Sequence, residues 1–326
     1  DYKDNANGAL LLEPSRTNLI TQSEAFGGSD WTTGAGGGIL TLTANYATSP
    51  DGYLNAYRLQ LNDGGEGGYV DRNQFKGVSN GTVYTYSVYL KSLSGTPTIG
   101  VLYDGVGNIT QQITTEWVRY SFTFTGTNGF CIPRFLVWST SVGTSPTADL
   151  LAWGTQLEVG SYPTSYIPTE GTAQTRLADS CINSGNEQVF NNTEGVLYAE
   201  IASFSLQDNS ERKINLSNNG NSYLRIQYGG TTNLIYCFVY INGVKVADIR
   251  KVLDTTNFNK VALRYSSLGY TVYINGIFKE TDSFGGNFTS YPLVDLSYSE
   301  FKGKTKDIRY YNTALSDSEL AALTTI

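Results

Sequence analysis

Apolar and polar residues alternate with a period of two in one run after another along this chain. Tyr84, Tyr86, Val88 and Leu90 alternate with Thr85, Ser87 and Tyr89, and Val118, Tyr120, Phe122 and Phe124 alternate with Trp117, Arg119, Ser121 and Thr123. Successive side chains of a strand point to opposite faces, so each run predicts a half-buried strand with one apolar face. Asp104-Gly105 and Gly107-Asn108 lie between such runs, and these residues reach positive φ at little cost, which makes tight turns. A second series begins at Gly195, where Leu197, Ala199 and Ile201 share a face. Two near-copies follow, FVYINGVKVAD at 238–248 and TVYINGIFKET at 271–281. Each places Asn-Gly (Asn242-Gly243, Asn275-Gly276) between alternating runs; both central residues of a type I′ turn need positive φ, so each copy predicts a hairpin rather than a repeated domain.

Two further signals complete the element reading. Ser316 and Glu319 form an S-x-x-E capping box ahead of Leu320, Ala321, Ala322 and Leu323, which predicts a short C-terminal helix. Near the middle, a strand is expected to end at Ala152, Trp153 and Gly154, followed by Gly160, Pro163 and Pro168. Proline fixes its own φ and pushes the preceding residue to extended backbone, so residues 161–172 are expected to run outward as an ordered, non-helical strap. A chain of 326 residues is long enough for two ordinary domains, and the strap divides it. The expected boundaries are 1–30 for a lead-in segment packing on the first sandwich, 31–170 for that sandwich, 171–192 for a linker and 193–326 for a second sandwich. The fold class is all-β, with two tandem antiparallel β-sandwiches and a short C-terminal helix.

Composition narrows the chemistry. Only 16% of residues are charged while Gly numbers 35 and Tyr 24, a balance that suits many short strands joined by tight turns. The formal charge is −7 and there is no basic block, so a phosphate backbone would be repelled and no nucleic acid partner is expected. No apolar stretch approaches the roughly 20 residues that cross a bilayer, and no signal peptide is visible, so no membrane insertion is expected. Cys131, Cys181 and Cys237 lie far apart in or beside apolar runs, which points to reduced, mostly buried thiols and leaves a disulfide pair open. With no histidine and no clustered cysteines, a soft-metal site is excluded. The chain has no methionine and begins at Asp1, so an upstream segment or processing is expected. DYKD continues into Asn5, Ala6, Asn7 and Gly8, and is taken as native.

Several strings carry resemblances. LLLEPSRTNLI at 10–20 and LAWGTQLEVGSYPTSYIPTEGTAQTRLAD at 151–179 resemble recurrent signatures of bacteriophage head and tail fibre proteins. That resemblance implies a virion surface protein made in the host cytoplasm, joined to other virion proteins through an upstream region, and trimeric; charge-poor, tyrosine-rich strand faces also suit self-association. GTVYTYSVYLKS, TEWVRYSFTFTG and AWGTQLE look like the jelly-roll carbohydrate-binding modules, which implies glycan binding on a concave face or edge loops, and in many members a structural calcium. KVALRYSSLGYTVYINGIFKET at 260–281 and GKTKDIRYYNTALSDSELAALTTI at 303–326 resemble the concanavalin-like, laminin-G-type lectin and glucanase superfamily, the first as its central strand pair and the second as its closing strand and terminal helix.

A sugar presents apolar C–H faces and many hydroxyls, so its site needs aromatic platforms beside hydrogen-bonding groups. Tyr89, Tyr103, Arg134 and Trp138 are the candidate glycan-binding residues, and Arg134 and Trp138 share a face through their even spacing in CIPRFLVWS. Each one alone also reads as core or rim packing, as Trp117 does. For a laminin-G calcium, Asp208, Asp254, Asp282 and Asp295 are available, although loop aspartates more often form turns; no other cofactor is expected. No catalytic residues are assigned. The Glu-x-Asp-x-x-Glu of the hydrolytic branch is absent, Glu200 is the only carboxylate centred in a strand-like run, and without histidine no acid–base constellation stands out. The leading expectation is therefore a non-enzymatic adhesin for host cell-surface glycan; a decoration or spacer protein that binds no sugar, and a polysaccharide depolymerase, stay open as alternatives.

Overall fold

Each alternating run named above is a strand in the structure, a computed structural model that describes residues 10–179, 185–204, 212–218, 220–229, 233–282, 293, 295–297, 301 and 303–326. Strand makes up 56% of it and helix 4%, so the all-β class holds. The first strand is β1 (Leu10–Leu12). Then come β2 (Arg16–Asn18), β3 (Thr32–Gly36), β4 (Ile39–Thr48), β5 (Leu54–Asn62), β6 (Tyr69–Asn73) and β7 (Lys76–Gly77). β8 (Val83–Ser92), β9 (Thr98–Tyr103), β10 (Asn108–Gln112), β11 (Val118–Thr125) and β12 (Phe130–Val137) precede one helical turn, α1 (Ser139–Val142). β13 (Thr147–Val159), β14 (Gln174–Arg176), β15 (Gly195–Ser203), β16 (Arg212–Ser217), β17 (Tyr223–Tyr228) and β18 (Leu234–Ile241) follow. The last elements are β19 (Val244–Val252), β20 (Asn259–Ser266), β21 (Gly269–Ile274), β22 (Phe278–Asp282), β23 (Asp295–Ser297), β24 (Gly303–Tyr311) and α2 (Asp317–Thr324).

The chain divides into two compact units, Ser15–Leu177 and the combination of Asp1–Pro14 with Ala178–Ile326. In the first unit the sheets run β10-β9-β12-β6-β3, with β7 also on β12, and β11-β8-β13-β5-β4. Their inner faces enclose one core, in which Tyr86, Val88 and Leu90 of β8 meet Ile99 and Val101 of β9 and Phe135 of β12. The second unit pairs the sheets β1-β24-β15-β20-β21-β22 and β19-β18-β17-β16-β23 around a core of its own, including Leu197, Ile226, Val239 and Leu263. Among the described residues every strand pair of both is antiparallel, with one isolated parallel bridge between Gly37 and Tyr69. Helix α2 is capped as expected: the Ser316 side chain accepts from the Glu319 N–H while Glu319 reaches back to Ser316 N. Its Leu320 seals Val196, Tyr198, Ala262 and Tyr273 on the outside of the β15–β20–β21 sheet.

Asn242 and Asn275 both adopt positive φ, 53° in each case. The first pair closes a two-residue turn between Ile241 and Val244, whereas the second sits in a three-residue loop between Ile274 and Phe278. Cys131 and Cys237 are buried free thiols, and burial pushes the Cys131 thiol up to about 12; Cys181 lies outside the described residues.

Three expectations need correction. Strand β13 does not end at Gly154 but continues to Val159 through a bulge between Trp153 and Gln156, because Gly154 takes φ +63° and leaves room for the Tyr89 and Tyr166 rings. The strap does not run outward; it folds back along the outer face of the β8–β13 sheet, where buried polar groups capture it. Glu158, fully buried, accepts from Thr164 N at 2.8 Å, Thr164 Oγ1 at 2.7 Å and Gln156 Nε2 at 2.7 Å. Asn18, also fully buried, donates to the carbonyls of Thr155 (3.0 Å) and Ile167 (2.9 Å) and accepts from Ile20 N and Leu157 N (3.1 Å each).

The lead-in segment, thirdly, is shared. Leu10–Leu12 pair with β24, Leu10 opposite Thr305 and Leu12 opposite Gly303, covering a ladder that would otherwise be an open edge. Glu13 and Asp179 lock that junction, Glu13 N donating to Asp179 Oδ2 at 2.9 Å and Asp179 N to the Glu13 carbonyl at 3.0 Å. From Arg16 onward the segment belongs to the first unit, β2 pairing with β14. The expected linker is correspondingly shorter, since Gln174–Arg176 are strand and Phe190 already enters the second core.

Residues 15–177 expressed alone should fold and melt in one transition, whereas residues 178–326 without β1 should unfold at lower denaturant than with it, by roughly 1–3 kcal/mol for the lost ladder bonds. A melt of the two fragments checks this. Asn18→Ala should cost about 2–4 kcal/mol because two N–H and two C=O groups lose their partner inside the protein. Asn18→Asp should be at least as damaging, since a carboxylate would face two carbonyls; urea titration of both variants measures it.

Candidate functional site

Strand β12 sends Cys131, Phe135 and Val137 into the core, so Phe130, Arg134 and, just past its end, Trp138 fall on the outer face. Arg134 meets Tyr103 of the neighbouring β9, its guanidinium 5.7 Å from the ring centroid. Tyr103 stacks on Phe130 (5.9 Å, 21°), and Phe130 on Phe75 (5.2 Å, 17°), the outermost ring, 63% exposed. The result is a ladder of three near-parallel rings with a cation at its inner end.

The polar side of the ladder comes from β6 and β3. Asp71 lies 3.9 Å from Arg134 Nη1 and accepts from the Gly34 N–H (3.0 Å) and Asn73 Nδ2 (2.9 Å); Asn73 in turn accepts from Thr32 Oγ1 (2.9 Å). Burial raises the Asp71 pKa above the usual carboxylate value, with Arg134 opposing it, and burial lowers the Arg134 pKa. The strand β3 admits these groups because it carries Gly at alternate positions. A Cβ on Gly34 would stand 2.4 Å from Asp71 Oδ1, and one on Gly36 2.5 Å from the Tyr69 ring.

Of the four predicted site residues, Tyr103 and Arg134 are therefore in contact. Trp138 shares their face, but its ring packs against Tyr69 (5.0 Å, 34°) and its buried indole N–H has no hydrogen-bond partner among the described residues. Tyr89 belongs to the other sheet, on β8, which the spacing along one strand could not reveal. There it lies against Trp153 (5.2 Å), under the Arg119 guanidinium (5.4 Å), beside the returning strap. Phe75, Phe130, Asp71 and Asn73 were missed; the readable signal was the Thr-Thr-Gly-Ala-Gly run of β3, whose small residues mark a face crossed by something larger.

A cleft of about 870 Å³ opens beside the strap, lined among others by Gln22, Glu24, Glu170, Gln174 and Arg176. Glu24 is fixed there by the Tyr166 hydroxyl (2.9 Å) and Asn55 Nδ2 (3.3 Å). Of the aspartates considered for calcium, Asp254 is a turn former, accepting from Thr256 N, Thr256 Oγ1 and Asn257 Nδ2. Asp208 lies outside the described residues, as does the Asp295 side chain. Among the described residues no group of three or more His, Cys, Asp or Glu is placed to hold a metal ion. Glu200, half-buried on β15, is paired with Lys306 at 3.8 Å.

No protein-family model matches the chain, and no curated protein matches it. Solved structures with a similar course include the carbohydrate-binding module (CBM40) of the Ruminococcus gnavus IT-sialidase bound to α2,3-sialyllactose (TM-score 0.36, 16% identity, 45% of this chain and 96% of that one). Others are domain 4 of the arabinanase AbnA from Geobacillus stearothermophilus with arabinotriose (0.35, 14%, 47% and 73%) and the enzymatically active domain of tailspike protein 4 of bacteriophage CBA120 (0.35, 12%, 44% and 21%). The match thus spans about a fifth of the tailspike domain. At TM-scores this low the likenesses carry no argument, and the sandwich architecture rests on the strand pairing itself.

Gly34→Val should force Asp71 off the Gly34 N–H and destabilise the protein by about 1–3 kcal/mol, as overpacking does. Gly107→Ala, where a Cβ meets nothing within 4 Å, should be silent; thermal melts of the two variants side by side test the reading of this face.

Proposed function

We propose that this chain is a non-enzymatic, glycan-binding protein displayed on a bacteriophage particle as part of a head or tail fibre. The observation that carries the reading is the ring ladder Phe75–Phe130–Tyr103 running into Arg134 and Asp71 on one open sheet face. An exposed aromatic face beside a guanidinium, a carboxylate and an amide is what a pyranose needs: a platform for its C–H face and donors and acceptors for its hydroxyls. The first sandwich is then a carbohydrate-binding-module-like jelly roll and the second a laminin-G-like domain. The partner is a host cell-surface glycan, the assembly a homotrimer held to other virion proteins through upstream residues, and no catalytic group or cofactor takes part. Stacking on one ring contributes about 0.5–1.5 kcal/mol, so one copy binds weakly and several on one particle bind firmly through effective concentration.

Particles or beads carrying many copies should bind a subset of a glycan array and attach to host cells. Phe75→Ala and Tyr103→Ala should reduce attachment at least tenfold without lowering the melting temperature, and the bound glycan should release no new reducing ends. Trp138→Ala, which removes the ring packed on Tyr69, should act on stability instead. Absence of any bound glycan would favour the spacer alternative, and release of reducing ends would favour the depolymerase.

A further inference from the structure

The second unit has an aromatic face of its own, in a sheet the sequence reading left without a ligand. Along β17 and β18, Leu224, Ile226, Cys237 and Val239 point into the core, which leaves Tyr223, Arg225, Tyr236, Phe238 and Tyr240 on the other side. The register sets Tyr223 opposite Tyr240, and Arg225 opposite Phe238. Tyr223 and Tyr240 stack at 4.7 Å and 22°, and Tyr236 and Phe238 at 5.4 Å and 27°. All four rings are half-buried, so each keeps part of its surface open.

Cations outnumber acids among the described side chains of this face. Among the described outward side chains of β16 to β19, Lys213, Arg225, Lys245 and Arg250 oppose the single carboxylate of Asp248, in a chain whose net charge is −7. Asp248 is engaged by the two cations nearest the edge, accepting from Lys245 Nζ at 2.6 Å and from Arg250 Nε and Nη2 at 2.7 Å each. Arg225 has no acid. Its Nε donates to Asn215 Oδ1 at 2.7 Å and its guanidinium lies 4.4 Å from the Tyr223 ring centroid, so the group is held from two sides while both terminal nitrogens lack a partner among the described residues. A guanidinium fixed in this way offers a planar two-pronged donor, the shape that matches a carboxylate.

We propose that this face binds an acidic polysaccharide whose charge is the carboxylate of uronic acid residues, the carboxylate seated on Arg225 and the sugar rings against Tyr240, Phe238 and Tyr236. The excess of cations attracts an anionic polymer that the chain as a whole repels, and the rings supply contacts that a bare charge does not. The site stands on the second unit alone and does not depend on the first unit's ladder.

The test uses the full chain in a Tyr103→Ala background, so that only the second unit is read, against immobilised polygalacturonate, alginate and hyaluronan, with galactan and dextran as neutral polymers. The expected result is retention on at least one acidic polymer and on neither neutral one, with Kd rising as salt increases. Arg225→Gln should raise Kd at least tenfold and Phe238→Ala at least threefold, at unchanged melting temperature. If Arg225→Gln melts early, Tyr240→Ala supplies the same reading from the other side of the face. No retention on any acidic polymer, equal retention on the neutral ones, or unchanged binding by folded variants would overturn the proposal. So would a dimer in light scattering that Arg225→Gln dissolves, because the occupant would then be a second copy of the chain.

Discussion

The first sandwich depends on one buried amide. Asn18 uses both its donors and both its acceptors on backbone groups from three separate stretches, its own strand exit at Ile20, the bulged strand β13 at Thr155 and Leu157, and the strap at Ile167. Those four backbone groups would otherwise be buried polar atoms without a partner, a cost of about 2–4 kcal/mol together. Because the amide is saturated, the strap has one register on the sheet, and Tyr166 is delivered onto Trp153 and Gly154. Glu158 completes the capture from below, on Thr164. The most recognisable strings of the chain, those around residues 10–20 and 151–179, thus encode a clasp, and both aromatic faces lie in strings that attract no notice.

The two aromatic faces differ in how their arginines are solvated. Arg134 sits in a largely dehydrated position, its pKa lowered by burial, with Asp71 at 3.9 Å and Tyr103 beneath it, which suits a neutral sugar whose hydroxyls can bridge the two charges. Arg225 donates to an amide, Asn215, and its outer nitrogens have no partner among the described residues. Identical residue types therefore differ in what they could accept according to whether a carboxylate already occupies the guanidinium.

What could be read from sequence was what is local. Period-two alternation placed the strands at 84–90, 118–124 and 195–201, and the Asn-Gly pairs placed both hairpins, although only the structure separates the two-residue turn at Asn242 from the three-residue loop at Asn275. Even spacing put Arg134 and Trp138 on one face, yet the partner of each ring was set by the neighbouring strand: Tyr69 of β6 took Trp138, and Tyr103 of β9 took Arg134. Tyr89 went astray because alternation gives a face but not which sheet a strand joins. The strand was expected to end at Ala152, Trp153 and Gly154 ahead of Gly160 and the prolines; instead Gly154 lets it bulge past two aromatic rings and run on to Val159. The row of rings on β17 and β18 was legible as alternation but not as a surface, since only Arg225 comes from the same strands and Lys213, Lys245 and Arg250 come from the flanking β16 and β19.

The placement of β1 has a consequence for synthesis. Ser15 and Arg176 are joined by a side-chain hydrogen bond of 3.1 Å, so the first unit leaves the chain where it entered it, and all its strands are available once Leu177 has been made. The second unit is discontinuous, and β1 waits on the ribosome for β24, made about 290 residues later. On a translating ribosome the first unit therefore folds while the outer one is still in halves. The same arrangement lets evolution replace the inserted sandwich through a single pair of adjacent ends, changing one aromatic face while the other unit keeps its fold.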